Sequence, residues 1–183
     1  MVIQFFFSTS VDPKTQDQEC KKRENAAIRG AQHRNPETSH RLAADFEHAG
    51  VGIVVQNALL NSITQVHQKN GRIMSITFSC HGFDVTMICA YAPHSGRSTE
   101  DKEMFYEQLS EEITSCHGRY LIGGDFNARI HYVREVDADV CGPYIIGRGT
   151  EYLNTMNDQT KESRALFLGW CKMHHLKILN SQF

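Results

Sequence analysis

The chain reads as an α/β domain, and three observations carry that reading. Between Gly50 and Tyr91 apolar residues fall in short β-type runs punctuated by Gly and Asn. From Ser98 the period becomes helical, with Phe105, Leu109 and Ile113 spaced by four. A further apolar run, Tyr120-Leu121-Ile122, is followed after a long loop by a second helical stretch.

Taken in order, Val51-Gly52-Ile53-Val54-Val55 is a short β-branched run consistent with a buried strand. Two strands follow over Asn61 to Val66 and Arg72 to Cys80, the latter alternating Ile73, Ser75, Thr77 and Ser79 with Met74, Ile76, Phe78 and Cys80. Asn70-Gly71 between them is a strong hairpin signal, because Asn and Gly tolerate the left-handed backbone of a tight turn. His81-Gly82 makes another turn into the strand Phe83 to Tyr91, and Pro93 cannot continue a central strand. Ser98-x-x-Asp101 starts a helix that ends near Ser115 and packs on the sheet. Tyr120-Leu121-Ile122 is a buried strand breaking into a loop at Gly123-Gly124. Residues 130 to 160 are loop-like and include Cys141-Gly142-Pro143 and Gly147-Arg148-Gly149. A second helix from Lys161 to His174 buries Phe167, Leu168, Trp170 and Cys171, and Leu176 to Asn180 forms a last strand. Residues 8 to 48 are polar and irregular. A helix over Gln18 to Gln32 would have too thin an apolar face to anchor it, so weak order is expected there.

With 183 residues, 40% hydrophobic and 22% charged, the chain suits one globular domain. A net charge of −2 excludes a global basic field, so any nucleic-acid contact must be local. The six cysteines form no C-x-x-C pair, and Cys89 and Cys171 sit in apolar stretches, which fits free thiols in a reducing compartment. The ten histidines form no H-E-x-x-H or Cys/His zinc spacing. No stretch approaches a membrane span, and Val2 to Phe7 lacks the preceding basic region of a signal peptide. The expected location is intracellular, nuclear or cytoplasmic, with no membrane partner.

The chemistry gathers at Gly123-Gly124-Asp125-Phe126-Asn127-Ala128-Arg129. The glycines allow a sharp turn and close approach to a ligand. In an extended segment Asp125 and Asn127 would share a side, about 6–7 Å apart at roughly 3.3 Å per residue. A carboxylate and a carboxamide so placed can orient or deprotonate a water and hydrogen-bond a phosphate oxygen; the same residues can also simply close two strands. A second strand-to-loop transition, Tyr91-Ala92-Pro93-His94-Ser95-Gly96, lies upstream. His94 and His131 lie near the two loops and can touch substrate, but both are read chiefly as exposed loop residues. Arg129 can reach a phosphate or make a surface ion pair. Arg164 is expected to open the second helix and pair with an acid across the loop. Asp137 and Asp139 read as a solvated acidic turn rather than a cation site, and His174-His175 as a helix C-terminus where the dipole favours positive charge.

This order of elements, with Gly50-Val51-Gly52-Ile53-Val54, Tyr91-Ala92-Pro93, Gly123 to Arg129 and Arg164 to Phe183, resembles the endonuclease/exonuclease/phosphatase family. It is most similar to the endonuclease domains of non-LTR retrotransposons and the craniofacial-development-protein-2-like sequences derived from them. The resemblance covers residues 49 to 183, leaving 1 to 48 as a non-matching extension. It implies a four-layer α/β sandwich of two mixed sheets flanked by helices, and hydrolysis of phosphodiester or phosphomonoester bonds with Mg²⁺ or Mn²⁺. By position it implies that Asp125 orients or activates water or assists the leaving group. Asn127 would hold the water and steady the phosphorane, and Tyr91 would hydrogen-bond a phosphate oxygen. Arg129 and His94 are the candidate substrate contacts, and DNA is the implied partner.

The family pattern also has an Asn on its first strand, a metal-binding Glu on the next and a closing Asp-His pair. Asn25, Glu37 and Glu47 lack the strand context for the first two, and Phe183 precedes the last. The expectation is therefore a domain truncated at both ends, with its metal ligands unidentified and little activity alone. The competing readings are a non-catalytic remnant with a binding role or none, and a phosphatase on small phosphorylated substrates.

Overall fold

The computed structural model describes residues 50–80, 82–130, 135–144 and 154–182, together with the backbone of 3–8. It is an α/β structure. A two-stranded ribbon pairs β1 (Ile3–Ser8) with β2 (Gly50–Val55), and a mixed four-stranded sheet has the order β3-β4-β5-β6. The four strands are Ile63–Gln68, Ile73–Cys80, Phe83–Tyr91 and Arg119–Asp125. Helix α1 (Thr99–Ser115) connects β5 to its neighbour β6, and α2 (Asp158–Met173) follows the long loop. No helix among the described residues is long and apolar enough to cross a membrane.

The chain forms two compact units, residues 1–91 with 111–124, and residues 92–110 with 125–183. In the first, β1 and β2 run antiparallel from Ile3 opposite Val55 to Ser8 opposite Gly50. The apolar sequence at 3–7, which carries no alternation to mark it, thus supplies a strand the sequence reading did not anticipate. Two antiparallel hairpins follow, β3-β4 and β4-β5. The alternation along β4 buries Ile76 and Phe78, which with Met87 of β5 form a cluster covered by Ile53, Val55 and Ile63. Asn70 closes the first hairpin by accepting from the amides of Arg72 (2.7 Å) and Ile73 (2.9 Å) through its side-chain oxygen. Gly82, with φ of +86°, supplies the left-handed residue of the second. Glu112 of α1 is 2% exposed. It accepts from the Ser75 hydroxyl (2.6 Å) and sits 2.9 and 3.0 Å from His67 Nδ1. His67 and Ser75 are register partners on β3 and β4, so one carboxylate pins the last turns of α1 to that hairpin.

In the second unit, Ser98 caps α1 by accepting from the Asp101 amide (3.1 Å), as the sequence predicts. Phe105, Tyr106 and Leu109 are buried. Asn157 caps α2, accepting from Thr160 N and Thr160 Oγ1. Phe167, Leu168, Trp170 and Cys171 are buried as expected. Phe126 stacks on Phe167 with ring centroids 4.5 Å apart. Lys102, only 2% exposed, pairs with Glu162 at 2.6 Å. That bond first, and one from Thr99 second, hold the Glu162 carboxyl below its ordinary value. Burial pushes the thiols of Cys89 and Cys171 up to about 11 and about 12, so both stay protonated and act as apolar filling.

Several expectations change. The strand expected from Asn61 begins at Ile63, because Asn57–Ser62 winds into a 3-10 turn. Strand β6 lies at the end of the sheet order and is half-exposed rather than buried, with Leu121 46% exposed. Helix α2 starts at Asp158, so Arg164 lies within it. Leu176 to Asn180 is not a strand: Ile178 makes a single parallel bridge to Cys141, and Leu179–Ser181 is a 3-10 turn. Asp137 is not solvated. It is 1% exposed and pairs with Arg164 (3.1 Å) and Lys172 (3.0 Å), so the acid expected to face Arg164 is this one, while Asp139 is exposed. His174 does not serve as a dipole-stabilised cation. Burial first, and His175 second, lower its pKa from 6.5, and its Nε2 lies 2.8 Å from Ser110 Oγ. The possible helix over 18–32, His131 and Gly147-Arg148-Gly149 lie outside the described residues.

Candidate phosphate-ester site

Strand β5 ends at Tyr91 and β6 at Asp125, and the segments that follow are stitched together in the second unit. Ala92 N donates to the Asp125 carbonyl (2.9 Å), and Asn127 Nδ2 donates to the Ala92 carbonyl (2.8 Å). A carbonyl only accepts, so this second bond also fixes which end of the Asn127 amide is nitrogen. Asn127 N donates to Asp125 Oδ1 at 2.8 Å, an Asx-type turn across two residues. The segment is therefore not extended: Asn127 has φ of +48°, a left-handed backbone that Asn tolerates better than most residues. Acid and amide are brought together by a turn rather than by strand alternation.

Gly123 and Gly124 both lie within β6 rather than in a turn. Gly124 lies in β6, and a Cβ built there would overlap the backbone carbonyl of Ala90. Its bare backbone thus serves strand packing within the first unit.

Asp125, Asn127, Arg129 and His94 line one cleft of about 510 Å³ together with Ser95, Thr155, Asn157 and Thr160. Four of the five site residues named from sequence are brought together in this way. Asp125, Arg129 and His94 are exposed, and Asn127 is half-buried. The fifth, Tyr91, belongs to the first unit, where it is half-buried with the Arg72 guanidinium 5.2 Å from its ring centroid. The sequence reading missed the contribution of Thr155 to Thr160. Asn157, a residue type favoured at helix starts, was the available signal, and placing the helix start at Lys161 passed over it.

Mg²⁺ and Mn²⁺ call for several converging oxygen ligands, carboxylates foremost. Among the described residues no group of three or more His, Cys, Asp or Glu side chains converges as a metal site. The cleft carries one carboxylate, Asp125, beside hydroxyls, amides, an imidazole and a guanidinium. These residues do not by themselves make a hard-cation site.

No family model matches the chain. Over 83 residues, 44% of the chain, it is 34% identical to Craniofacial development protein 2 of Bos taurus, and 32% identical to the protein of that name from Tragulus javanicus. The match spans 14% of the length of these curated relatives. The sequence thus has a distant relation to Craniofacial development protein 2 over less than half of its own length.

Proposed function

We propose that the cleft is a phosphate-ester site of the endonuclease/exonuclease/phosphatase type, with the DNA backbone as substrate and hydrolysis of a phosphodiester as its chemistry. The observation that carries this reading is the Ala92–Asp125–Asn127 stitch, which fixes an acid and an amide at the cleft beside His94 and Arg129. One oxygen of Asp125 is held by the Asn127 amide, leaving the other to accept from a water. The Asn127 carbonyl oxygen is a second acceptor for the same water. A water held by both its protons directs its lone pair outward, towards phosphorus. As its oxygen bonds to phosphorus, one proton passes to Asp125. The phosphorus–oxygen bond to the leaving group breaks, and the departing alkoxide takes a proton from solvent. His94 and Arg129 offer donors to the phosphoryl oxygens. Most of the catalytic benefit in such a site is positioning and charge stabilisation. Tyr91 enters the reading through the resemblance alone, and so does Mg²⁺ or Mn²⁺.

Nicking of supercoiled plasmid with Mg²⁺ or Mn²⁺ present tests the proposal, comparing the chain with Asp125→Ala. Loss of a positioned base lowers rates by about 10²–10⁴-fold, so weak nicking by the chain is expected to vanish in the variant. Equal behaviour of the two, including no nicking by either, sinks the reading.

A further inference from the structure

We propose that His94 is an anion-facing donor of the cleft, with Nδ1 held as an acceptor and the ring proton on Nε2. This rests on the phosphate-ester reading and names the atom that meets the ligand. Gly96 N donates to His94 Nδ1 across 3.2 Å. A ring nitrogen that accepts a hydrogen bond carries a lone pair, so in neutral imidazole the proton lies on the other nitrogen. The main chain at Gly96 abuts that edge of the ring: a Cβ there would sit 3.4 Å from both Nδ1 and Cε1. The Nδ1–Cε1 edge is thus occupied by the loop, and His94 lines the cleft with Asp125, Asn127 and Arg129.

Phosphoryl oxygens only accept, and Asp125 as a carboxylate cannot donate to them. A donor must come from elsewhere on the wall, and Nε2–H is one whose orientation the loop fixes. The same bond bars His94 from acting as a base in this geometry. Nε2 is already protonated, and a proton on Nδ1 would displace the Gly96 amide. His94 therefore selects for an anionic ester without taking part in proton transfer.

Nitrogen-15 spectra of the full chain report which ring nitrogen carries the proton. Nε2–H is expected, and Nδ1–H overturns the proposal. Gly96→Ala, which keeps the amide proton, is expected to preserve the tautomer, whereas Gly96→Pro, which has none, gives a mixture. Inorganic phosphate is then titrated while the His94 ring and the amides of residues 125 and 127 are observed. All three are expected to shift. Affinity should fall about tenfold in His94→Ala, the scale of one hydrogen bond to a charged group, and recover in His94→Asn, whose amide also donates. Phosphate that moves Asp125 and Asn127 but not His94 overturns this inference and leaves the site reading standing. Phosphate that moves none of them counts against the site reading itself, whatever the tautomer.

Discussion

Gly124 shows how much one missing side chain decides. Its Cα faces the Ala90 carbonyl, so Gly124→Ala forces backbone apart rather than bending a flexible side chain. Overpacking of this kind costs about 3 kcal/mol, and the denaturant midpoint of the variant is expected to fall accordingly without a change in slope. The end of a strand near Gly124 was legible, but the glycine's reason was not. A contact between residues 90 and 124 leaves no trace in either local pattern. His174 is the second telling residue. Its folded pKa lies below the ordinary 6.5 because burial disfavours the cation. The folded state then binds the proton less readily than the unfolded chain. Stability is at its full value above pH 6.5 and is lost as pH falls from there through the lower folded value. Urea midpoints measured from about pH 7 to about pH 5 should show this decline, and His174→Gln, which can still bond Ser110, should flatten it.

Helix α1 is secured at both ends by polar groups and along its length by apolar ones. Its start was readable, because a Ser three residues ahead of an Asp is a local signal and the Ser98 hydroxyl does meet the Asp101 amide. Its stripe of Phe105, Leu109 and Ile113 was readable for the same reason, and all three are buried. Glu112 was not, because a Glu at a helix end looks like surface until the hairpin carrying His67 and Ser75 folds over it. Removing a buried, bonded charge strands its partners. Glu112→Ala is expected to cost about 3 kcal/mol, against about 1 kcal/mol for Ser75→Ala, both read by chemical denaturation. Asp137 was misread in the same direction: from sequence it belongs to an acidic turn, yet Arg164 and Lys172 converge on it from α2. The last segment fails as a strand for a related reason. Leu176 to Asn180 has the composition of one, but Ile178 finds a single bridging partner in Cys141 rather than a ladder. Strand propensity needs an edge to pair with.

At the scale of the whole molecule, the α/β class and the gathering of Asp125, Asn127, Arg129 and His94 were visible in advance, since both follow from where short periodic runs stop. What was hidden is the interleaving of the two units: the chain leaves the first after Tyr91, returns at Glu111, and departs again after Gly124. Deletion mapping therefore cannot work here. Any contiguous piece holding residues 92–183 drags along 111–124, torn from the hairpins those residues belong with. Within that orphaned stretch, Glu112 loses His67 and Ser75, and β6 loses β5, its neighbour in the sheet. A bare strand edge of that kind recruits other copies, so such a piece is expected to sediment with inclusion bodies rather than report on the cleft. Scissors would measure stickiness; only single-residue exchanges in the intact chain can measure chemistry.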